Sequence, residues 1–287
     1  MNSNLLKDLK YKVFQSGNPV FFYIGINVLI FVVFALLNIP FFLSGKGGVM
    51  YDALIREYAG FPASLSKLPT RFYTIITYQF FHDGLWHILF NMLWLFWLGN
   101  IFLDFLKPRQ FHFVYLAGGI AGALLYLLAY NIFPVFAEVR PDATVIGSSA
   151  AVMAVIVATA TLLPDYSMRL LLFGEVKLKY LALAYIVLDL IGIASKDAGG
   201  SFAHIGGAVL GFTYIKLLKG GADWSKIFKR KPKLRVVKND SGKQTGRKQN
   251  EGVNQEEIDR ILDKISKTGY NKLSKQEKET LFKASKD

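Results

Sequence analysis

The sequence predicts an all-α membrane protein: a six-helix transmembrane bundle with a basic C-terminal tail that contains a short helical hairpin. The chain has 287 residues, of which 52% are hydrophobic, yet it carries a net charge of +13. Its mean hydropathy is +0.31. A soluble core of this size does not absorb so many apolar residues, whereas a membrane bundle with a basic appendage combines both properties. Cysteine is absent, which excludes disulfides and thiolate chemistry.

The apolar segments define a membrane core over residues 20–218, which follows a polar and basic N-terminal segment, residues 1–19. About 20 apolar residues cross a bilayer at ~1.5 Å per residue. The first apolar segment has no small-residue cleavage site, so we interpret it as a retained span rather than a signal peptide. The six predicted spans cover residues 20–43, 84–105, 111–133, 145–163, 180–193 and 202–218.

The tail differs from the core in composition. Residues 219–253 are basic and polar without a period, which predicts a flexible linker. Residues 254–287 carry two capping-box patterns, each followed by apolar residues at helical spacing, and these predict the hairpin. Between Lys226 and Lys248 there are ten Lys or Arg residues and one acid. Beside a membrane segment, this block predicts contact with anionic lipid; nucleic acid is not expected because no aromatic stacking pattern accompanies it.

Charge also predicts an orientation. The ten basic residues of this block follow the sixth span and three precede the first, and six spans leave both termini on one side of the membrane. The positive-inside rule then places both termini in the cytoplasm. We accordingly predict a multi-pass protein of a bacterial cytoplasmic membrane.

Four polar residues lie at a similar depth in this topology. His87 and Asn91 fall in the first two turns of the second span, Ser149 in the first turn of the fourth and His204 in the first turn of the sixth. The second, fourth and sixth spans all run in the same direction, so these side chains converge below one membrane surface. Their convergence indicates a polar site within the bundle.

The residue types at this site favour nucleophilic catalysis. A serine needs a base to take its proton, and histidine is the usual base, so Ser149 is the candidate nucleophile and His204 the candidate base. His87 and Asn91 share one helix face and can donate hydrogen bonds to an oxyanion. A serine bonded to its own helix is the structural alternative. Asp189 is open to three readings: it orients His204, takes part in proton transport, or is hydrogen-bonded within the bundle.

A metal site is not predicted. His82 and His87 lie near Asn91, but asparagine is a poor ligand for transition metals. We therefore predict no metal and no other cofactor.

Three motifs in this order resemble the rhomboid family of intramembrane serine proteases. They are His82-x4-His87-x3-Asn91 on the second span, Gly147-x-Ser149 on the fourth and Ala203-His204-x-x-Gly207 on the sixth. The resemblance implies a six-helix core and a Ser149–His204 dyad without a catalytic acid. It also implies an oxyanion site formed by His87, Asn91 and the Ser149 backbone N–H. The implied reaction is endopeptidase cleavage of transmembrane protein substrates near the outer face of the membrane.

The resemblance also assigns supporting roles, with three departures from the family pattern. One is Asp104, which lies one residue away from the acidic position that the family has after the second span. His82, Gly147, Met153 and Gly207 are the residues expected to support the site. Ala150 stands where the family usually has a second glycine, and Met153 stands where many members have a tyrosine that supports the histidine ring. A thioether can also pack against an imidazole, so we expect weaker orientation rather than inactivity. Two rival hypotheses are a catalytically silent relative that binds membrane helices and a transporter that uses Asp189.

Overall fold

The computed structural model describes residues 2–45, 49–170, 174–195, 197–228 and 255–285. The chain forms two compact units, residues 1–230 and 231–287. In the first unit the α-helices are α1 (Asn2–Phe14), α2 (Pro19–Leu43), α3 (Val49–Tyr58), α4 (Leu68–Arg71), α5 (Thr74–Thr77), α6 (Leu85–Phe105), α7 (Pro108–Ile132), α8 (Ser149–Leu162), α9 (Leu178–Gly192) and α10 (Ala198–Lys219). The second unit contains α11 (Gln255–Thr268) and α12 (Lys275–Ala284).

Within the described residues, four helices are long and apolar enough to cross a membrane: α2, α6, α7 and α10. They carry a belt of exposed large apolar side chains, as expected of a surface that faces lipid rather than water. The remaining two predicted spans correspond to α8, with 14 residues, and α9, with 15. At ~1.5 Å per residue these helices reach only about 22 Å, less than the ~30 Å of a bilayer core. The mostly helical membrane fold is confirmed, and the six-span count stays a prediction.

Helix α8 lies at the centre of the first unit, packed against α6, α7 and α10. All residues from Ala150 to Ala160 are buried, as expected of a helix that is apolar on every side. Glycines on its neighbours allow this close packing. A Cβ at Gly207 or Gly211 of α10 would overlap a backbone carbonyl oxygen of α8, and one at Gly118 of α7 would overlap the Ala154 side chain. Gly207 and Gly211, one turn apart on α10, therefore allow α10 to pack closely against α8.

Two antiparallel strand pairs lie outside the helices. The first joins β1 (Phe61–Pro62) to β2 (Thr144–Val145), and the second joins β3 (Ser167–Leu170) to β4 (Gly174–Lys177). The sequence patterns predicted neither pair, because each strand is only two to four residues long. The first pair matters for the site, since β2 leads directly into the turn before α8.

The Asp223 carboxylate, which follows the end of α10, forms hydrogen bonds that link this end to the start of α7. Asp223 accepts hydrogen bonds from Arg109 Nη2 at 2.9 Å, from the Tyr214 hydroxyl at 3.1 Å and from the Ser225 hydroxyl at 2.5 Å. Burial raises the pKa of the Asp223 carboxyl, but the hydrogen bonds from Ser225 and Tyr214 and the charge of Arg109 outweigh burial, so its pKa lies below its usual range. The ionised form therefore stabilises the folded state.

We expect Asp223→Asn to lower the thermal stability of the detergent-solubilised protein near pH 7, by about 1–3 kcal/mol for the loss of a charged acceptor. Because the pKa is depressed on folding, this contribution is present above about pH 4 and disappears as pH falls through the folded-state pKa. The two proteins should thus converge in stability at low pH. Asp142→Asn is the control, since the Asp142 side chain is 95% exposed and pairs with Lys67 at 3.6 Å. If Asp223→Asn lowered the stability by the same amount at low pH as at pH 7, the prediction would be contradicted.

The second unit consists of α11, α12 and the turn between them. Ser274 and Glu277 form the capping box that their spacing predicts: the Ser274 N–H donates to Glu277 Oε2 at 2.7 Å, and the Glu277 N–H donates to Ser274 Oγ at 3.3 Å. Lys264 Nζ on α11 lies 2.7 Å from Glu277 Oε1 on α12. The first predicted capping residue, Asn254, and most of the predicted linker over 219–253 lie outside the described residues.

Candidate active site

A glycine turn presents Ser149 at the first position of α8. The Gly147 N–H donates to the Tyr78 carbonyl at 3.0 Å, and Gly147 has φ +126°, in the region that favours glycine. A Cβ at Gly147 would lie 2.9 Å from His87 Nε2 and 3.6 Å from Ser149 Oγ. The glycine is therefore required twice, for its backbone conformation and for the close approach of the His87 ring. The structure brings His87 and Ser149 to the same side of this turn.

His87 and Asn91 lie one turn apart on α6. The Asn91 side chain is 7% exposed and donates one hydrogen bond from Nδ2 to the His87 carbonyl at 3.0 Å. The amide retains a second N–H, because an asparagine side chain has two donor hydrogens. Both side chains line the same cavity as Ser149.

His82 contacts Ser148 and His87 beside the site. Its Nε2 lies 3.1 Å from Ser148 Oγ, and its ring packs edge-on against His87 with centroids 5.1 Å apart. Burial, with a smaller contribution from His87, lowers the pKa of His82. A neutral imidazole that is buried against a serine hydroxyl is a structural contact, so His82 is not a candidate base. Ser148 is itself fully buried, so the two adjacent serines have different environments.

His204 lies in α10 with one ring nitrogen already engaged. Its Nδ1 is 2.7 Å from Asp189 Oδ1, a residue of α9. The side chains of this pair are 27% and 12% exposed. Within the described part of the chain, no hydrogen bond joins His204 to Ser149, and both residues line the same cavity. Catalytic hydrogen bonds are often long without substrate, so this geometry does not disqualify the pair.

Two cavities meet at His87, Ser149 and His204. The first is mostly apolar and is lined by α6, α8, α9 and α10; besides these three residues its lining consists of Trp86, Phe90, Asn91, Trp94, Val152, Met153, Ile156 and Tyr185. The second is more polar than the first; its other lining residues are Arg56, Asp83, Thr144, Val145, Ile146, Asp197, Gly200 and Ser201. The three shared side chains therefore border both a mostly apolar space and a more polar one. Such an arrangement can receive an apolar peptide segment and water at one point.

The structure groups the residues that the sequence singled out. Met153, which is 3% exposed, lines the apolar cavity with His204, and Gly207 brings α10 onto α8. The sequence patterns missed Arg56 and Tyr185, which line the cavities from α3 and α9. No motif marks either residue, because each is brought to the site only by the packing of distant helices.

Comparison with known proteins identifies the class of protein that this fold and site define. The family model described as the Rhomboid domain matches residues 69–220, more than half of the chain. The chain belongs to the rhomboid family, as the three motifs predicted, and is thus a multi-pass membrane protein in a family of intramembrane proteases. A second model, a family of unknown function (DUF6576), matches residues 248–287.

Three relatives agree with this assignment. RHOMBOID-like protein 12, mitochondrial, of Arabidopsis thaliana is 29% identical over 161 residues, which are 52% of this chain and 48% of that protein. Rhomboid protein 1, mitochondrial, of Saccharomyces cerevisiae is 29% identical over 201 residues, 69% of this chain and 52% of that protein. Presenilin-associated rhomboid-like protein A, mitochondrial, of Danio rerio is 26% identical over 172 residues, 58% and 42% of the two chains. The chain spans about half the length of the curated relatives it matches.

The predicted location in a bacterial cytoplasmic membrane, with cytoplasmic termini, was wrong. All three relatives are named as mitochondrial proteins, which contradicts it. The physical reason is that a bias of Lys and Arg orients the spans of a membrane protein without identifying the membrane. The multi-pass membrane character is supported.

Proposed function

We propose that this chain is a serine endopeptidase that cleaves membrane-anchored proteins, with Ser149 as nucleophile and His204 as general base. One observation carries the proposal: Ser149, His204 and His87 are the side chains shared by the apolar and the polar cavity. A protease that acts inside a membrane needs a nucleophile that both an apolar substrate segment and water can reach. Membership of the rhomboid family supports the reaction class.

The proposed chemistry follows the serine protease scheme. Ser149 Oγ attacks the scissile carbonyl carbon while His204 Nε2 accepts the hydroxyl proton. The resulting imidazolium donates that proton to the nitrogen of the leaving amine, and an acyl-enzyme remains. Water from the second cavity gives a proton to His204 Nε2 as it attacks the ester carbonyl. The imidazolium then returns that proton to Ser149 Oγ as the ester bond breaks, which restores the free enzyme.

The developing oxyanion needs donors at the start of α8. The first N–H groups of a helix have no partner within the helix, and they lie at the positive end of its dipole, so the Ser149 N–H is one donor. His87 and the second N–H of Asn91 are the others, since both side chains face the same cavity. One good side-chain donor of this kind is typically worth ~2.7–4 kcal/mol in the transition state. His82 and Gly147 position these donors and are not themselves donors to the substrate.

We propose that substrate helices approach between α6 and α9. A second apolar cavity on this side is lined by Phe90, Leu93, Trp94, Trp97, Leu170, Val176, Tyr180, Leu181, Ala184 and Tyr185. Trp94 of α6 meets Tyr185 of α9 edge-on, with ring centroids 5.3 Å apart. An unwound substrate segment that passes these rings would reach Ser149 directly. Unwinding is required because a hydrogen-bonded helix hides its peptide bonds.

The proposal also covers the number of spans, the C-terminal tail and the location of the protein. Helices α8 and α9 complete a six-span core over residues 20–218, the basic segment over 219–253 contacts anionic lipid, and residues 254–287 form a helical hairpin. The relatives' names point to a mitochondrial membrane as the location. No metal or other cofactor is required by the proposed chemistry.

The proposal is tested by reconstituting the full chain in liposomes with a single-span reporter protein. We expect two fragments whose new ends, read by mass spectrometry, fall within or beside the reporter's membrane helix. The Ser149→Ala protein, reconstituted at the same density, should give none. Binding of the reporter without a cut would indicate a catalytically silent relative. Ion flux that survives Ser149→Ala and is lost in Asp189→Asn would indicate a transporter.

A further inference from the structure

The buried carboxylate of Asp189 is not used by the mechanism described so far. Rhomboid resemblance implied a serine–histidine dyad without an acid, yet Asp189 Oδ1 lies 2.7 Å from His204 Nδ1. The distance is that of a charge-assisted hydrogen bond. An acid at membrane depth is costly, and such residues are seldom retained without a partner or a function. Here the partner is the candidate general base.

The contact determines which histidine nitrogen can act as a base. In a neutral imidazole one nitrogen carries the proton and the other accepts, and the hydrogen bond made by one nitrogen sets the role of the other. A carboxylate can only accept, so His204 Nδ1 must carry the proton. The free lone pair is then on Nε2, the nitrogen that the proposed reaction uses.

Helix packing holds the two residues in register. One turn beyond Asp189, Gly192 of α9 meets Ser201 of α10, which lies one turn before His204. A Cβ at Gly192 would overlap Ser201 Oγ, so the two helices approach closely beside the pair. The Asp189 side chain is only 12% exposed, and its second oxygen, Oδ2, has no hydrogen-bond partner among the described residues. The carboxylate charge is therefore directed at the imidazole rather than dispersed over several donors.

Other carboxylates near the site do not make this contact. Asp83 and Asp197 line the polar cavity together with His204. Asp83 instead pairs with Arg56 Nη2 at 3.0 Å. Across the described ranges, Asp189 is the acid that is hydrogen-bonded to His204.

We propose that Asp189 is a positioning residue that extends the site to a Ser149–His204–Asp189 triad. Its carboxylate holds His204 with the proton on Nδ1 and stabilises the imidazolium formed when Nε2 takes the Ser149 proton. The carboxylate stays ionised throughout and exchanges no proton. The inference rests on the proposed protease function. A purely structural tie between α9 and α10 is the alternative that the experiment must separate from it.

The kinetic test compares the wild-type protein with Asp189→Asn in the reporter assay. The amide keeps the volume of the side chain and removes its charge, and we expect kcat to fall on the order of 10²- to 10⁴-fold, with little change in KM. Asp189→Glu should regain part of the lost kcat, because it restores the charge. Asp165→Asn is the matched control: Asp165 is an exposed acid that pairs with Lys177 and Lys179, away from the site.

Two results would overturn the role of Asp189 while leaving the protease function in place. One is Ser149-dependent cleavage by Asp189→Asn with kcat within about twofold of the wild type. The other is a fall in kcat together with a fall in melting temperature, neither of which Asp189→Glu reverses. The second pattern is that of a structural tie.

A spectroscopic readout tests the contact without relying on activity. In protein labelled with ¹⁵N-histidine, the His204 signals, assigned by their absence in His204→Asn, should show a protonated Nδ1 and an unprotonated Nε2. Asp189→Ala should release the ring, so that both tautomers are populated. An unchanged tautomer in Asp189→Ala would overturn the inference. If the wild-type protein cut no reporter, the proposed function would fail, and these spectra would still decide whether Asp189 positions His204.

Discussion

Ser149→Ala is expected to abolish labelling of the protein by a fluorophosphonate probe, whereas Ser148→Ala is expected to leave labelling in place. The probe reacts only with a serine that it can reach and that a base activates. Ser149 lines both cavities of the site. Ser148 is fully buried, and its hydroxyl lies 3.1 Å from His82 Nε2. We therefore expect that replacing one of these adjacent serines abolishes labelling and that replacing the other does not.

Ser148→Ala should instead affect stability. Removing its hydroxyl takes away the 3.1 Å hydrogen bond to His82 Nε2 and leaves that nitrogen with only the Ser148 N–H at 3.5 Å. This loss costs about 0.5–1.5 kcal/mol. The measurement is labelling of both variants in detergent, beside the wild-type protein and with melting temperatures recorded. Labelling that survives Ser149→Ala, or that is lost in a folded Ser148→Ala protein, would refute the assignment of the nucleophile.

Gly207→Ala is expected to destabilise the bundle and to inactivate any protein that still folds. A methyl group at this position would overlap the carbonyl oxygen of Ala150, one residue after Ser149 on α8. A backbone oxygen cannot rotate away as a side chain does, so α10 must move away from α8. Overpacking of this kind typically costs about 1–3 kcal/mol, and more where the backbone has to shift. Since α10 also carries His204, a displacement of 1 Å is expected to cost roughly 10² in rate.

Gly200→Ala is the matched control for stability on the same helix. A Cβ at Gly200 meets no atom within 4 Å. Replacing a helical glycine with alanine gains up to about 1 kcal/mol where the methyl group fits. Melting temperatures of the two variants should therefore move in opposite directions. Equal stability of Gly207→Ala and the wild-type protein would show that α8 and α10 are less closely packed than described.

The sequence patterns predicted the long helices well, because the apolar residues that define each helix lie in one continuous segment. The long apolar segments of α2, α6, α7 and α10 correspond to helices within a few residues of the expected limits. Patterns failed for the short strands and for α1, which forms where only a polar segment was expected. A two-residue strand such as β1 depends on its partner β2, more than 80 residues away along the chain. Such pairing has no signal in either local sequence.

The sequence by itself determined the class of protein, the family and the residue types of the candidate site. Composition, apolar length and the spacing of three motifs are properties of single segments, and each can be evaluated without knowing how the helices pack. Only the tertiary structure placed the Asp189 carboxylate against His204, because this hydrogen bond joins two helices at a specific register. It likewise distinguished Ser149 from Ser148, since burial depends on every neighbouring helix rather than on the residue itself.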